Sequence, residues 1–138
     1  MDRDVIEQKI ESLRRCVERV RQKSPATAAD LTSDPDAQDI LTLNLTRAVQ
    51  LCVDIGAHLI AAQNQPAPDT MGQTFDVLTD MSVISAELAV RMKKAVGFRN
   101  IAVHNYEAIN WDIAHAIATR HVDDFAEFAA AVVASTGI

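Results

Sequence analysis

Ile6, Ile10, Leu13, Val17 and Val20 recur at alternating steps of four and three, the spacing that lines side chains along one stripe of an α-helix. This pattern predicts a first helix from Val5 to about Val20, closing near Ser24-Pro25. Ser33-Asp34-Pro35 then sets a side-chain oxygen cap ahead of a proline whose fixed φ suits a first helical turn. A second helix is therefore expected from Pro35 to about Gln63, with Ala26 to Ser33 as a loop before it. Leu41, Leu45, Ala48, Cys52, Ile55 and Leu59, flanked by Leu43 and Leu51, give this helix a broad apolar face and mark it as the central element. Arg47, Gln50 and Asp54 fall on one polar stripe of the same helix. It reads as a solvated face, with a groove beside the functional site as the alternative.

Asn64 to Asp69 carries Pro66 and Pro68, which break helical geometry, and is too short for a domain linker. Beyond it, a brief helix is expected from Thr74 to about Met81 with Thr74 as its cap, and Ser85 caps a helix carrying Leu88, Met92 and Val96. Asn110 caps another, in which Ile113, Ile117, Val122, Phe125, Phe128 and Val132 face inward and the 119 to 123 region is a weak point. With 49% hydrophobic residues, only four Gly and four Pro, and few aromatic side chains, helices are favoured over sheets. The expectation is an all-α, antiparallel bundle of about five helices, a single domain over residues 1–138.

No run approaches the roughly 20 uninterrupted apolar residues that would span a bilayer, and Met1-Asp2-Arg3-Asp4 is charged where a signal peptide turns hydrophobic, so a cytoplasmic protein without a membrane partner is expected. Cys16 and Cys52 lack zinc-site spacing and read as reduced, packed thiols; neither a metal nor a cofactor is implied. His58, His115 and His121 have no metal-ligand spacing around them and read as structural or exposed. Trp111 reads as a packing anchor. Arg14, Arg15, Glu18, Arg19, Arg21 and Lys23 look like a solvated helix face, on which RNA binding is not required. A net charge of -6 argues against a protein that coats nucleic acid. Between Leu88 and Tyr106, however, Arg91, Lys93, Lys94 and Arg99 occur with no Asp or Glu, a basic patch suited to an anionic target such as one RNA strand.

Gly97-Phe98-Arg99-Asn100-Ile101-Ala102-Val103-His104-Asn105-Tyr106 gathers a fixed cation, an amide, an imidazole and a phenol. An unperturbed imidazole, titrating near pH ~6.5, exchanges protons at cellular pH, and a guanidinium offers a planar fork of donors to charge developing on phosphorus. The pair suits phosphodiester cleavage by the 2'-hydroxyl of RNA, with no metal required. Asn100 would orient the histidine or hold a phosphate oxygen, and Tyr106 would stack on a base or donate a hydrogen bond. On a straight helix Arg99 and His104 lie about 140° apart, so they converge only if the helix ends or bends between them or if two chains contribute. Taken as a bare pattern, Arg-x4-His is common.

The run from Gly97 to Tyr106 closely resembles the Arg-x4-His-x-Tyr signature of HepT-like toxins in the HEPN superfamily. Leu45 to Ile60 is similar to that family's second-helix pattern, Val83 to Leu88 to the approach to its signature helix, and Asp123-Asp124-Phe125 to its C-terminal stretch. The resemblance implies a HEPN-like bundle that forms a homodimer, with two Arg-His motifs facing a shared cleft. It implies an endoribonuclease toxin in which Arg99 and His104 are catalytic, Asn100 supports them, and RNA is the substrate. It also implies an MntA-like nucleotidyltransferase antitoxin that adenylylates Tyr106, setting negative phosphate beside Arg99. The competing class is a non-catalytic accessory subunit whose basic segment docks a nucleotidyltransferase.

Overall fold

The computed structural model describes residues 1–138, and every element in it is helical. The α-helices are α1 (Arg3–Lys23), α2 (Ala28–Thr32), α3 (Pro35–Ala62), α4 (Met71–Asp80), α5 (Ala86–His104), α6 (Trp111–Ala116) and α7 (Asp123–Thr136). A 3-10 turn, Tyr106–Ala108, follows α5, and a π turn, Ile117–His121, joins α6 to α7.

The expected helix starts hold where a capping oxygen precedes a long apolar stripe. Asp34 accepts from the Ala37 amide ahead of Pro35, Ser85 from Leu88, and Asn110 from Asp112 and Ile113. Seven α-helices replace the expected five for two reasons. The segment read as a loop contains α2, capped by Thr27, which drives Leu31 into full burial; five residues are too few to display a period. The last expected helix is broken by the π turn, at the weak point read from the sequence. Thr74 is not a cap: Thr70 starts α4, and Thr74 is buried in its second turn.

α1 runs antiparallel to α3, and α7 antiparallel to α1. On α1, Lys9 reaches Asp54 at 3.6 Å, while Cys16, seven residues on, shares a groove with Arg47, seven residues back on α3. Likewise Arg3 donates to the Gly137 carbonyl at one end of α7, and Arg21 pairs with Asp123 at the other. The core takes Leu41, Leu45, Ile55 and Ile60 from α3, Ile6, Leu13 and Val20 from α1, and Phe75 edge-on to Phe128 at 5.8 Å between ring centroids. Burying each large apolar side chain contributes roughly 1.5–3 kcal/mol. α3 is long and apolar enough by composition to cross a bilayer, but its apolar stripe is buried within the bundle, and Asn44, Arg47, Gln50 and Asp54 interrupt the run.

Gly56 sets how closely α4 approaches α3. A Cβ on Gly56 would lie 2.6 Å from the Thr74 Cγ2 methyl and 3.0 Å from Leu78 Cδ1, so the missing side chain is what lets α4 seat on α3. Cys16 and Cys52 are both free and buried, as expected, and burial pushes both thiols up, Cys52 further than Cys16. Both are therefore poor nucleophiles.

Candidate functional site

α5 continues without a break through Arg99 to His104, and the Asn105 amide closes it on the Ile101 carbonyl at 2.8 Å. The bend that would bring Arg99 and His104 together in one chain is absent. Arg99 turns toward the bundle and is half-buried; its Nη2 donates to Gln50 Oε1 at 3.4 Å and its Nη1 to Asn100 Oδ1 at 3.3 Å. His104 sits exposed at the helix end, and its side chain makes no hydrogen bond within the chain.

Both oxygens that hold Arg99 are neutral amides, so they orient the guanidinium without cancelling its charge. Gln50 is fixed in turn, because its Nε2 donates to Asp54 Oδ1 at 2.9 Å and Asp54 faces Lys9. The polar stripe on α3 thus lines a groove beside Arg99, the alternative reading of that face, and Asn100 contacts Arg99 rather than His104.

Tyr106 lies in the 3-10 turn just past α5, 37% exposed, and donates to Asp39 Oδ1 at 2.7 Å. Its ring meets Trp111 edge-on at 5.9 Å, so Trp111, half-buried, packs against the phenol as an anchor would. Partial burial, then the hydrogen bond to the Asp39 carboxylate, push the phenol up to about 12, against the smaller opposing influence of the Thr42 hydroxyl. Asp39 gave no sequence signal; it is one acidic residue in the first turns of α3, and only the fold brings it to Tyr106.

Within one chain the same contacts hold the Tyr106 phenol away from Arg99. Asp39 and Gln50 are eleven residues apart on α3, about 16 Å along its axis, so phenol and guanidinium dock about three turns apart. The basic patch is also smaller than the sequence suggests. Arg91 pairs with Asp124 and Glu127 of α7, and Lys93 with Asp76 of α4 at 3.0 Å, which leaves Lys94 and Arg99 without a carboxylate. The acids that neutralise it come from outside the Leu88 to Tyr106 window. His115 bonds the Pro25 carbonyl at 2.9 Å and His121 faces Asp124, both structural contacts. No three His, Cys, Asp or Glu side chains gather as metal ligands would.

One helical turn before His104, the surface of α5 opens on a largely apolar cavity, with Arg91, Lys94, His121 and Asp124 at its charged positions. Exposed Ile101 and Ile113 border a cavity of about 530 Å³ between α5, α6 and α7, with Phe98, Ile109, Ile117 and Phe125 in its lining. One chain therefore presents an oriented cation, an exposed imidazole on another side of the same helix, and an unpartnered, largely apolar groove that begins one turn before the imidazole.

The family model described as ribonuclease HepT-like matches residues 6–132. An mRNA nuclease HepT of Shewanella oneidensis is 34% identical over 125 residues, spanning 91% of this chain and 93% of its own. The tri-AMPylated HEPN toxin of Shewanella oneidensis, solved in complex with an MNT antitoxin, superposes with a TM-score of 0.89 at 34% identity, over 97% of this chain and 99% of that one. The cytosolic protein YutE of Bacillus subtilis, 15% identical, covers 100% of this chain with 95% of its own and shares the fold at a TM-score of 0.84.

Proposed function

Because this chain belongs to the HepT-like ribonuclease family, we propose that it is the toxin of a toxin–antitoxin pair, a metal-independent endoribonuclease that cuts RNA through the strand's own 2'-hydroxyl. The observation that carries this reading is the state of Arg99: half-buried, aimed by two neutral amides, and left with its charge uncompensated. Such a guanidinium is preorganised for a phosphodiester whose charge rises in the transition state. His104 supplies the proton transfers, as the base that takes the 2'-hydroxyl proton and the acid that protonates the departing 5'-oxygen, leaving a 2',3'-cyclic phosphate and a free 5'-hydroxyl.

One chain does not complete this site, since an unbroken α5 holds the two groups on different sides of the helix. The working form in this reading is a homodimer whose second copy seats on the groove edged by Ile101 and Ile113 and brings its Arg99 to the first chain's His104.

Control of the enzyme falls to an MntA-like nucleotidyltransferase that adenylylates Tyr106. In support, the Shewanella oneidensis toxin is tri-AMPylated in its complex with an MNT antitoxin, and Tyr106 here is a partly exposed phenol with a carboxylate against its hydroxyl. The phenol oxygen attacks the α-phosphorus of a nucleoside triphosphate, pyrophosphate leaves, and Asp39 accepts the phenolic proton as the new P–O bond forms. Within one chain the adduct begins too far from Arg99 to occupy its anion site, so the modification acts on the dimer's shared cleft instead.

The test is cleavage of RNA in EDTA by protein purified free of any antitoxin, beside Arg99→Ala and His104→Ala. Cleavage by the parent and loss in both variants supports the assignment; equal cleavage by all three contradicts it. A stable complex with the nucleotidyltransferase and no cleavage by the parent would favour the accessory-subunit reading.

A further inference from the structure

The geometry points to a second working surface on this molecule: the groove between α1 and α3 is a phosphate track that leads a single strand of RNA to Arg99. The inference rests on the ribonuclease reading and adds a binding site to it. The groove encloses about 540 Å³, and Arg15, Arg19 and Arg47 line it with Ser12, Asn44 and Gln50. Gln50 is the residue whose side-chain oxygen holds Arg99, so the track ends at the proposed catalytic cation.

The charges in the groove are free for an anion. Arg19 and Arg47 are exposed and have no carboxylate in ion-pair range, unlike Arg14, Arg21 and Arg91. Arg15 has a carboxylate only at 3.6 Å, on Glu11. Glu11 is already committed, because Arg14 binds it at 2.6 Å and holds its carboxyl below the usual carboxylate range. Asp54, the other nearby acid, is tied to Lys9 and Gln50. Three guanidiniums lining one groove, on a chain of net charge -6, repel one another until an anion enters.

The groove also offers what a ribose needs. Asn44 is buried and its amide nitrogen donates to the Ile40 carbonyl, which leaves the side-chain oxygen to accept from a 2'-hydroxyl. Ser12 adds a hydroxyl at the rim. Since these side chains come from two packed helices, the backbone positions that carry the arginines are fixed before the strand arrives, and only the side chains remain to be ordered on binding.

The test is the salt dependence of binding to a fluorescently labelled single-stranded RNA, followed by anisotropy in a His104→Ala background so that the strand stays intact. Adding Arg19→Ala and Arg47→Ala should lower the slope of log K against log salt by about 1.4, an approximately 7-fold smaller affinity loss over a 4-fold salt increase. Arg3→Ala, which removes a charge elsewhere on α1, should leave the slope unchanged. An unchanged slope and affinity in the double variant, with cleavage by the parent intact, overturns the track and leaves the ribonuclease reading standing. Absence of both binding and cleavage in the parent overturns both. Unchanged RNA binding with a weakened nucleotidyltransferase complex assigns the groove to that partner and overturns the track.

Discussion

The Tyr106 hydroxyl donates to Asp39 across 67 residues of sequence, at 2.7 Å, and pins the turn that follows the signature helix to the start of the central helix. The contact fixes where the phenol sits and what stands ready to take its proton.

Tyr106 is the chain's one tyrosine, so a near-ultraviolet tyrosinate titration reports it alone. The midpoint is expected at about 12, and lower in Asp39→Asn, though still raised because burial is the larger cause. The folded value lies above the unfolded value of about 10, so the favourable contribution is complete below pH ~10 and is lost as pH rises toward about 12. Thermal stability should therefore fall more steeply between those pH values in the parent than in Asp39→Asn. A parent midpoint near that of free tyrosine would contradict the partial burial and the hydrogen bond to Asp39.

Asp39→Asn should slow AMP addition by the nucleotidyltransferase by about 100-fold, the low end for losing a positioned general base, with Tyr106→Phe accepting none at that position. Intact mass over a time course measures both. A full rate in Asp39→Asn would show that the carboxylate only places the ring.

Gly56→Ala should destabilise the fold by about 1 kcal/mol, because the overpacking cost of a Cβ at 2.6 Å from Thr74 Cγ2 exceeds the ~1 kcal/mol gained from alanine's helix propensity. Thr74→Ser removes the opposing methyl, so the double variant should recover most of the loss in urea unfolding. Independent, additive effects would mean that the two helices part elsewhere to admit the new atom.

Lys93→Gln should leave the salt slope of RNA binding where it is, because Asp76 already neutralises that ammonium. A slope reduced by about 0.7, one phosphate contact, would restore Lys93 to the basic patch read from the sequence.

The long elements were legible because each carries its own signal: the stripe of α1, the Asp34-Pro35 start of α3, the Ser85 and Asn110 caps. What escaped was either too short to show a period, as in α2, or decided by a neighbour. Thr74 has the chemistry of a cap, yet Thr70 sits one turn earlier and Gly56 leaves room for Thr74 inside. The site divides the same way. Arg99, Asn100, His104 and Tyr106 stand out as a local cluster, whereas Asp39 and the acids facing Arg91 and Lys93 lie far off in sequence. Helix arithmetic did foresee that Arg99 and His104 part unless α5 bends, and α5 does not bend.

Cleavage by a site shared between two chains is tested most directly by mixing subunits. Arg99→Ala and His104→Ala proteins, each inactive, are mixed, allowed to exchange chains, and assayed for RNA cleavage. If Arg99 of one chain serves His104 of its partner, half the dimers are mixed and each has one intact site of two, so activity should return to about a quarter of the parent's. A mixture as inactive as its two components, with exchange verified, would contradict a site shared between chains.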